Sequence, residues 1–369
     1  MKINSASPHI SNKDKKLVYE AIKHGWGKKM NYYIDKFSKE FSKYKSIKYV
    51  LPVSHATDGI FLSLIAKGIG PGDEVIVPDL TWVACASPIK YLGATPIFVD
   101  VDKISLCICE KSLKKNITKK TKAIVVVDLL GSMPEWDKIL KICKEKKIFI
   151  IEDATEAIGS TYKNKKSGKF GDVSIFSFNA TKLIMSGQGG AVCTDQKKLY
   201  KKIKLLSHHG MEKGDTKLYW SKVAGFNFGW TNIQAALALS QLRQIKKFIK
   251  YKKKIYKLYS KHLRNSKWIK INNVKDNIDS DHWITSFQIL NKKISKEMVC
   301  KKMKKFNIDI RPMFYPLSSM PPFKSKKNFK NINSNSYEIS KYGVCLPNGY
   351  DLTEKKIKFI CNKLLKFIG

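Results

Sequence analysis

Helical and strand-like patterns alternate along the first 260 residues of the chain. Apolar residues at helical spacing predict helices over 11–24 and 34–44, and at 57–67, 82–92, 135–146 and a short segment from Ala154. Continuous apolar runs predict strands at 49–53, 74–77, 96–101, 123–127, 148–151, 173–178 and 190–194. This alternation predicts an α/β fold whose mostly parallel sheet is covered by helices on both faces.

The pattern changes after the last of these strands. Residues 229–260 have helical spacing throughout, which predicts one long helix. Residues 265–369 then contain a predicted strand at 283–290, a helix at 295–305 and a closing helix from Thr353. We therefore predict two domains: a large domain over 1–250, which includes the N-terminal helical segment, and a smaller C-terminal α+β domain over 251–369.

Composition restricts the class of protein. The chain has 369 residues, 43% of them hydrophobic, which is enough for a sizeable core. The sequence contains no apolar run of membrane-spanning length and no apolar signal core, so we expect a soluble, non-exported protein without membrane contact. Its eight cysteines are scattered without a CxxC pair, which favours reduced thiols in the cytoplasm over disulfides or a metal site.

The net charge of +40 raises the alternative of a non-catalytic nucleic-acid-binding protein. The lysines, however, are spread along the whole chain and accompany no nucleic-acid motif, so we expect no nucleic-acid partner. Only three arginines occur, at 243, 264 and 311. Arg311 is the one outside a lysine-rich helical stretch, and this favours a role that needs a planar, bidentate cation.

Polar side chains follow several predicted strands, at the sheet edge where ligands bind. Ser54–Thr57 begin a helix and could bind a phosphate through backbone N–H groups, although an ordinary helix cap is the alternative. Trp82 follows another strand and is either a core residue or a stacking surface. Asp153 directly follows an apolar strand, so its carboxylate needs a donor partner or caps a helix.

Lys182 is the one charged residue in the segment FSFNATKLIMSGQGG at 176–190. A lysine near strand ends loses water, and desolvation favours the neutral, nucleophilic amine. The sequence thus offers four features: a phosphate site at Ser54–Thr57, an aromatic surface at Trp82, the carboxylate of Asp153 and the amine of Lys182. An aromatic aldehyde with a phosphate group would use all four. They point to pyridoxal phosphate bound to Lys182 as a Schiff base, with Asp153 at the ring nitrogen. The alternative for Lys182 is a surface lysine with no ligand.

The chain resembles the DegT/DnrJ/EryC1/StrS aminotransferases, which act on sugars with pyridoxal phosphate as cofactor and have the aspartate-aminotransferase fold, fold type I of pyridoxal-phosphate enzymes. The resemblance covers nearly the whole chain, is closest to the perosamine-synthase-like and amino-octulosonate-forming members, and rests on these segments: GWGKKMNYYIDKFSKEF, SHATDGIFLSLIAKGIGPGDEVIVPDLTWVACASPIKYLGATPIFVDVD, IEDATEAIGS, GDVSIFSF, TKLIMSGQGGAVCTD, GFNFGWTNIQAALALSQL, DIRPMFYPL and LPNGYDLT.

The resemblance implies a role for each matching residue. Lys182 and Asp153 are the catalytic pair, and Trp82 stacks on the cofactor ring. The other implied cofactor contacts are Ala56, Thr57, Ser177, Glu156 and, from a neighbouring subunit, Asn227. Glu156 is expected one helical turn beyond Asp153, near the phenolic oxygen of the cofactor. The glycines of GQGG would let the backbone pass close behind the lysine.

This sequence departs from the family pattern at several positions. Alanine replaces glycine at Ala56, Asp128 and Ser318 stand where histidines are frequent, and Phe228-Gly229-Trp230 replace Tyr-Arg-Met. We expect the changes at Asp128, Ser318 and Phe228-Gly229-Trp230 to lie where the sugar or its nucleotide is held, whereas the change at Ala56 affects the phosphate site. Arg311, His208 and His209 are the candidates for contacts with the donor carboxylate or the sugar, the first through an arginine–carboxylate fork.

The resemblance implies transfer of an amino group from glutamate to a ketosugar, with a nucleotide-linked 4-keto-6-deoxysugar as the expected acceptor in surface-polysaccharide or related amino-sugar biosynthesis. It also implies a homodimer with shared active sites. Two enzymatic alternatives stay open: an aminotransferase for a free keto-sugar acid, and a sugar dehydratase that uses the same cofactor. The dehydratases have histidine in place of the lysine, so Lys182 argues against the second.

Overall fold

A computed structural model describes residues 2–212, 217–325 and 327–369. The α-helices are α1 Asn12–His24, α2 Tyr32–Lys45, α3 Ala56–Lys67, α4 Ser87–Tyr91, α5 Glu110–Asn116, α6 Trp136–Lys146, α7 Lys197–Ser207, α8 Asn232–Arg243, α9 Ile245–Leu263, α10 Lys296–Lys304, α11 Phe329–Ile332, α12 Ser334–Tyr342 and α13 Glu354–Ile368. Short 3₁₀ turns cover Gly27–Lys29, Val83–Cys85, Leu129–Gly131, Leu317–Ser319 and Pro321–Phe323. The strands are β1 Tyr49–Val53, β2 Glu74–Pro78, β3 Thr95–Val99, β4 Thr121–Val127, β5 Phe149–Asp153, β6 Thr161–Tyr162, β7 Lys165–Lys166, β8 Val173–Ser177, β9 Gly190–Thr194, β10 Ile269–Ile271, β11 Ile278–Asp279, β12 Ser286–Ile289, β13 Arg311–Pro312 and β14 Gly343–Cys345.

The central sheet has the strand order β1-β9-β8-β5-β4-β2-β3. Strands β3, β2, β4, β5 and β8 are parallel, whereas β9 runs antiparallel to both of its neighbours. The parallel strands are buried on both faces, which explains their continuous apolar runs. The predicted α/β class with a mostly parallel sheet is confirmed. The same topology brings the carboxyl ends of β1, β2, β4, β5 and β8 to one edge.

One predicted helix is absent and two others are interrupted. No helix begins at Ala154, because its N–H donates to Ile175 O at 3.0 Å and prolongs the pairing between β5 and β8. The segment from Trp82 is interrupted, since Pro88 has no N–H to continue a helix and α4 starts anew at Ser87. The predicted long helix breaks at Gln244 into α8, buried around most of its circumference, and α9, buried along one face.

The C-terminal sheet has the order β10-β12-β14-β13. Its strand β12 is shorter than predicted, because Trp283 lies in a bend where its N–H donates to Asp281 Oδ1 at 3.0 Å. The apolar core of this part is formed by residues from 255 onward together with Ile3, which pairs with Ile308. Residue 250 lies inside α9, so the chain crosses between cores within a continuous helix. The domain boundary at 250 stays a prediction.

Among the described residues, no helix combines the length and the apolar character that crossing a membrane requires. The eight cysteines are all free thiols, most of them buried.

Candidate active site

A cavity of about 450 Å³ opens at the carboxyl edge of the central sheet. Its lining combines this edge with segments from the C-terminal part of the chain. Most of the site residues predicted from sequence line it: Ala56, Thr57, Trp82, Asp153, Glu156, Ser177, Lys182 and Arg311. These residues come from the ends of β1, β2, β5 and β8 and from β13, so the predicted clustering at the sheet edge is observed.

Lys182 projects from the connection between β8 and β9 and is mostly buried. Its Nζ atom lies 3.3 Å from Glu156 Oε1. The same atom lies 4.2 Å from the ring centroid of Trp283, which is a cation–π contact. The indole Nε1 of Trp283 donates to Thr181 O at 3.1 Å, so the ring is fixed to the backbone beside the lysine. The alternative of a surface lysine is therefore wrong, because the side chain is mostly buried.

Glu156 stands in a turn after β5 and has a buried side chain. Its Oε2 accepts a hydrogen bond of 3.1 Å from Leu130 N, while Oε1 receives Lys182. Burial raises the pKa of the Glu156 carboxyl, and the positive charge of Lys182 partly opposes this shift. The expected helical turn between Asp153 and Glu156 is absent; a tight turn places the two side chains in the same cavity instead.

Asp153 is the last residue of β5, and its carboxylate is buried. Oδ1 accepts from Thr155 N at 3.1 Å, and Oδ2 accepts from the thiol of Cys85 at 3.1 Å. These are the donor partners that a buried carboxylate requires. The alternative of a helix cap is wrong, because no helix follows Asp153. The carboxylate is thus held in place and lines the cavity.

Trp82 follows β2 and exposes 60% of its surface, although it lines the cavity. Its ring centroid lies 6.0 Å from that of Phe314. The alternative of a core tryptophan is therefore wrong, and an aromatic face is accessible in the cavity.

Helix α3 begins at Ala56 beside the cavity, with His55 at the N-cap position and no side chain capping it. The Ser54 hydroxyl does not cap the helix either, since it donates to Asp58 Oδ2. The alternative of an ordinary helix cap is therefore wrong. The first N–H groups of this helix point to a region suited to an anion. Strand β9 passes very close behind, since a Cβ at Gly190 would lie 2.6 Å from Ala56 N. Glycine is therefore required at position 190, where it allows this approach to the start of α3. The expected close passage of the backbone behind the lysine stays a prediction.

Three predicted residues lie outside this cavity. Asn227, His208 and His209 are exposed, and Asn227 pairs with His208 in an isolated antiparallel bridge. Their segment lies near the start of α3, because Ser54 N donates to Phe228 O at 2.9 Å. The roles of these three residues stay predictions.

Arg311 lies in β13 and lines the cavity from the C-terminal side. Its Nε donates to Ser5 Oγ at 3.0 Å, and this hydrogen bond anchors the side chain.

Three of the residues that depart from the family pattern have buried side chains. Asp128 has no exposed surface, Ser318 is buried with its hydroxyl donating to Asp79 Oδ2 at 2.7 Å, and Trp230 packs against Phe178 and Gly189. None of these three side chains lines the cavity described above. The expectation that the changed positions hold the sugar or its nucleotide stays a prediction.

Two contacts escape sequence reasoning altogether. The sequence predicts only that Trp283 lies in a strand about one hundred residues after Lys182, and that Cys85 is a reduced thiol. No local pattern marks either residue, because each is far in sequence from its partner and meets it only in the folded chain.

Comparison with known proteins agrees with this geometry. The model of the DegT/DnrJ/EryC1/StrS aminotransferase family matches residues 8–365. A GDP-perosamine synthase of Escherichia coli O157:H7 is 35% identical over 360 residues, which cover 98% of this chain and 97% of that protein. The protein named putative sugar aminotransferase Spr1654, of Streptococcus pneumoniae, has been solved in PLP and PMP forms. Its PLP form superposes on this chain with a TM-score of 0.91 at 24% identity and covers 100% of both chains. Helicobacter pylori PseC, an aminotransferase of pseudoaminic acid biosynthesis, gives a TM-score of 0.90 at 26% identity, with 100% of this chain and 99% of PseC covered. The chain belongs to the DegT/DnrJ/EryC1/StrS aminotransferase family, as its sequence motifs predicted.

Proposed function

We propose that this protein is a pyridoxal-phosphate-dependent aminotransferase that transfers the amino group of glutamate to a nucleotide-linked 4-keto-6-deoxysugar in amino-sugar biosynthesis. The observation that carries this proposal is the convergence of Lys182, Asp153 and Trp82 on one cavity at the sheet edge. Family membership supports the reaction class. The similarity to a GDP-perosamine synthase supports a nucleotide-linked sugar.

The residues present fit pyridoxal phosphate. The cavity has the volume typical of small-molecule sites. The Asp153 carboxylate would meet the pyridine nitrogen, and the first N–H groups of α3 at Ala56 and Thr57, with the Ser177 hydroxyl, would hold the phosphate. The accessible face of Trp82 would cover the ring. Bound there, the cofactor supplies an electron sink for negative charge at the substrate carbon.

Lys182 would hold the cofactor through its amine, and the same amine, when free, would act as the general base that takes a proton from the substrate carbon. Its amine is confined by Glu156 at 3.3 Å and by the Trp283 ring at 4.2 Å. These contacts limit the positions from which the amine can act. Asp153 would keep the ring nitrogen protonated through its negative charge, and its two hydrogen bonds fix the direction of the carboxylate.

Arg311 would bind the carboxylate of glutamate. It is the one arginine of the chain in the cavity lining, and its side chain is anchored by Ser5. A planar guanidinium can form two parallel hydrogen bonds with a carboxylate. His208 and His209 would contact the sugar nucleotide from outside this cavity.

We also propose a homodimer with shared sites, in which Asn227 of one copy contacts the cofactor phosphate of the other. Asn227 is exposed, and so are large apolar side chains in the preceding loop: Leu218, Tyr219 and Trp220. Such a surface favours an interaction partner. We propose the cytoplasm as the compartment, because eight free cysteines suit a reducing environment.

The experiment has two parts. Protein purified with pyridoxal phosphate should absorb visible light, and borohydride should attach the cofactor to the peptide that contains Lys182. The treated and untreated enzymes should then be assayed with glutamate against nucleotide-linked ketosugars and free keto-sugar acids. We expect the untreated enzyme to be active with nucleotide-linked ketosugars only, and we expect borohydride treatment to abolish this activity. Activity only with free acids would overturn the proposed acceptor, and an unlabelled Lys182 would overturn the proposed cofactor site.

A further inference from the structure

One buried thiol contacts the carboxylate at the centre of the site. Cys85 Sγ donates to Asp153 Oδ2 at 3.1 Å, and both side chains are almost completely inaccessible to solvent. The Thr81 hydroxyl lies 3.5 Å from the same sulfur. A buried cysteine more often behaves as a small apolar side chain. Here, however, the thiol donates to the carboxylate of Asp153, which the proposed function assigns to the cofactor ring nitrogen.

The contact links two parts of the site that are not adjacent in the sheet. Cys85 lies in the 3₁₀ turn that follows β2 and Trp82, while Asp153 ends β5. Strand β4 lies between β2 and β5. The thiol therefore reaches across β4 and connects the segment that carries the aromatic surface with the carboxylate.

The hydrogen bonds of Asp153 divide between its two oxygens. The backbone N–H of Thr155 occupies Oδ1, and the thiol occupies Oδ2. Within the described part of the chain these are the hydrogen bonds of the carboxylate, so without the thiol it would be held at Oδ1 alone and could rotate. Each oxygen can accept a second hydrogen bond, so the thiol need not compete with a ring nitrogen.

We propose that Cys85 is a positioning residue for Asp153: its S–H group fixes the carboxylate relative to Trp82 so that the cofactor ring meets both in one geometry. The inference rests on the proposed function, since it assigns Asp153 to the pyridine nitrogen. Burial, and to a smaller extent the nearby charge of Asp153, raise the pKa of the Cys85 thiol well above its ordinary value. The thiol therefore keeps its proton near neutral pH and can donate it in a hydrogen bond.

The matched variants are Cys85→Ala, Cys85→Ser and Cys193→Ala. Serine keeps a donor at the position, whereas alanine removes it. Cys193 is a buried thiol of the same apolar core, in β9, without a contact to Asp153. Pyridoxal phosphate is titrated into each apoprotein and its dissociation constant is measured from the absorption of the bound cofactor, and unfolding by urea is followed in parallel.

We expect Cys85→Ala to weaken cofactor binding by roughly three- to tenfold, the value of one hydrogen bond, and Cys85→Ser to restore it to within about twofold. Cys193→Ala should destabilise folding without changing the dissociation constant. Equal dissociation constants in wild type and Cys85→Ala, or failure of serine to restore binding, would overturn the inference. A wild-type protein that binds no cofactor would instead overturn the proposed function, and the inference with it.

A second measurement tests the contact without cofactor. The S–H stretching band of Cys85 is isolated as the infrared difference between wild-type and Cys85→Ala apoproteins, and again in an Asp153→Asn background. We expect the band to move when the carboxylate is replaced by the weaker amide acceptor, because the hydrogen bond weakens. An unchanged band would show that the thiol does not donate to Asp153 and would overturn the inference.

Discussion

The amine of Lys182 and the carboxylate of Glu156 form an ion pair of 3.3 Å inside the cavity. Neither group is freely solvated, and Glu156 is also fixed by the backbone N–H of Leu130. The pair holds the lysine beside the Trp283 ring before any ligand arrives. Because a positioned amine needs little reorganisation for proton transfer, this arrangement favours catalysis by Lys182.

Replacement of Lys182 by alanine should remove the proton-transfer group. We expect turnover to fall by roughly a hundredfold or more, while pyridoxal phosphate still binds without a covalent link. Stopped assays and borohydride labelling measure the two effects. Lys198→Ala, which removes an exposed lysine near the start of α7, is the control and should keep both activity and label. Recovery of the label on a different lysine would contradict the assignment of Lys182.

Replacement of Asp153 by asparagine keeps the shape of the side chain and removes its charge. The protonated ring nitrogen then loses its partner, so we expect the loss to fall mainly on kcat, because the charge acts on the transition state more than on binding. Steady-state kinetics with glutamate measures it. Near-normal kcat in Asp153→Asn would reduce the role of Asp153 to shaping the turn through its hydrogen bond with Thr155.

Sharing of sites between subunits can be tested by complementation. Lys182→Ala and Asn227→Ala chains, each inactive alone at limiting cofactor, should regain part of the activity when mixed, because one hybrid site receives both wild-type residues. A hydrogen bond from a neutral amide to the phosphate would contribute about 0.5–3 kcal/mol to the free energy of cofactor binding. Asn227→Ala should therefore lose cofactor affinity and still fold. If subunit exchange is verified and no activity returns, Asn227 does not act across the interface.

Lys252 is a buried lysine of α9 whose Nζ donates to Asn348 O and lies 4.6 Å from the Tyr350 ring centroid. Burial lowers its pKa from 10.5 to about 7, and the Asp281 charge opposes the shift. Between these two values the unfolded chain binds more protons than the folded one at this residue. Its contribution to the free energy of unfolding therefore rises with pH from about 7 to about 10.5.

Urea unfolding of wild type and Lys252→Met at several pH values from neutral to alkaline checks this. We expect the wild type to gain stability relative to the variant as the pH rises, because only the wild type carries the cost of desolvating a charged amine. Because both proteins contain the other lysines, the difference between their free energies of unfolding at each pH isolates the contribution of Lys252. Lys254→Met, which removes an exposed lysine of the same helix, is the matched control for the loss of one lysine. A stability difference between wild type and Lys252→Met that stays constant with pH would contradict the prediction.

The sequence by itself determined the sheet and most of the cavity. Buried parallel strands produce continuous apolar runs, and ligands bind where such strands end, so Asp153 and Lys182 could be located from local patterns alone. Local turn chemistry was less reliable. The helix predicted from Ala154 does not form, since a hydrogen bond to Ile175 in the neighbouring strand competes with it.

Only the tertiary structure decided which groups surround these residues. Cys85 meets Asp153 across an intervening strand, and Trp283 reaches Lys182 from another part of the chain. The exposure of Trp82 and the burial of Asp128 likewise depend on packing around them. Periodicity encodes which face of an element is apolar. It does not encode the order of strands or the side chains that a fold brings together over long sequence distances, and these contacts determine the electrostatics of the site.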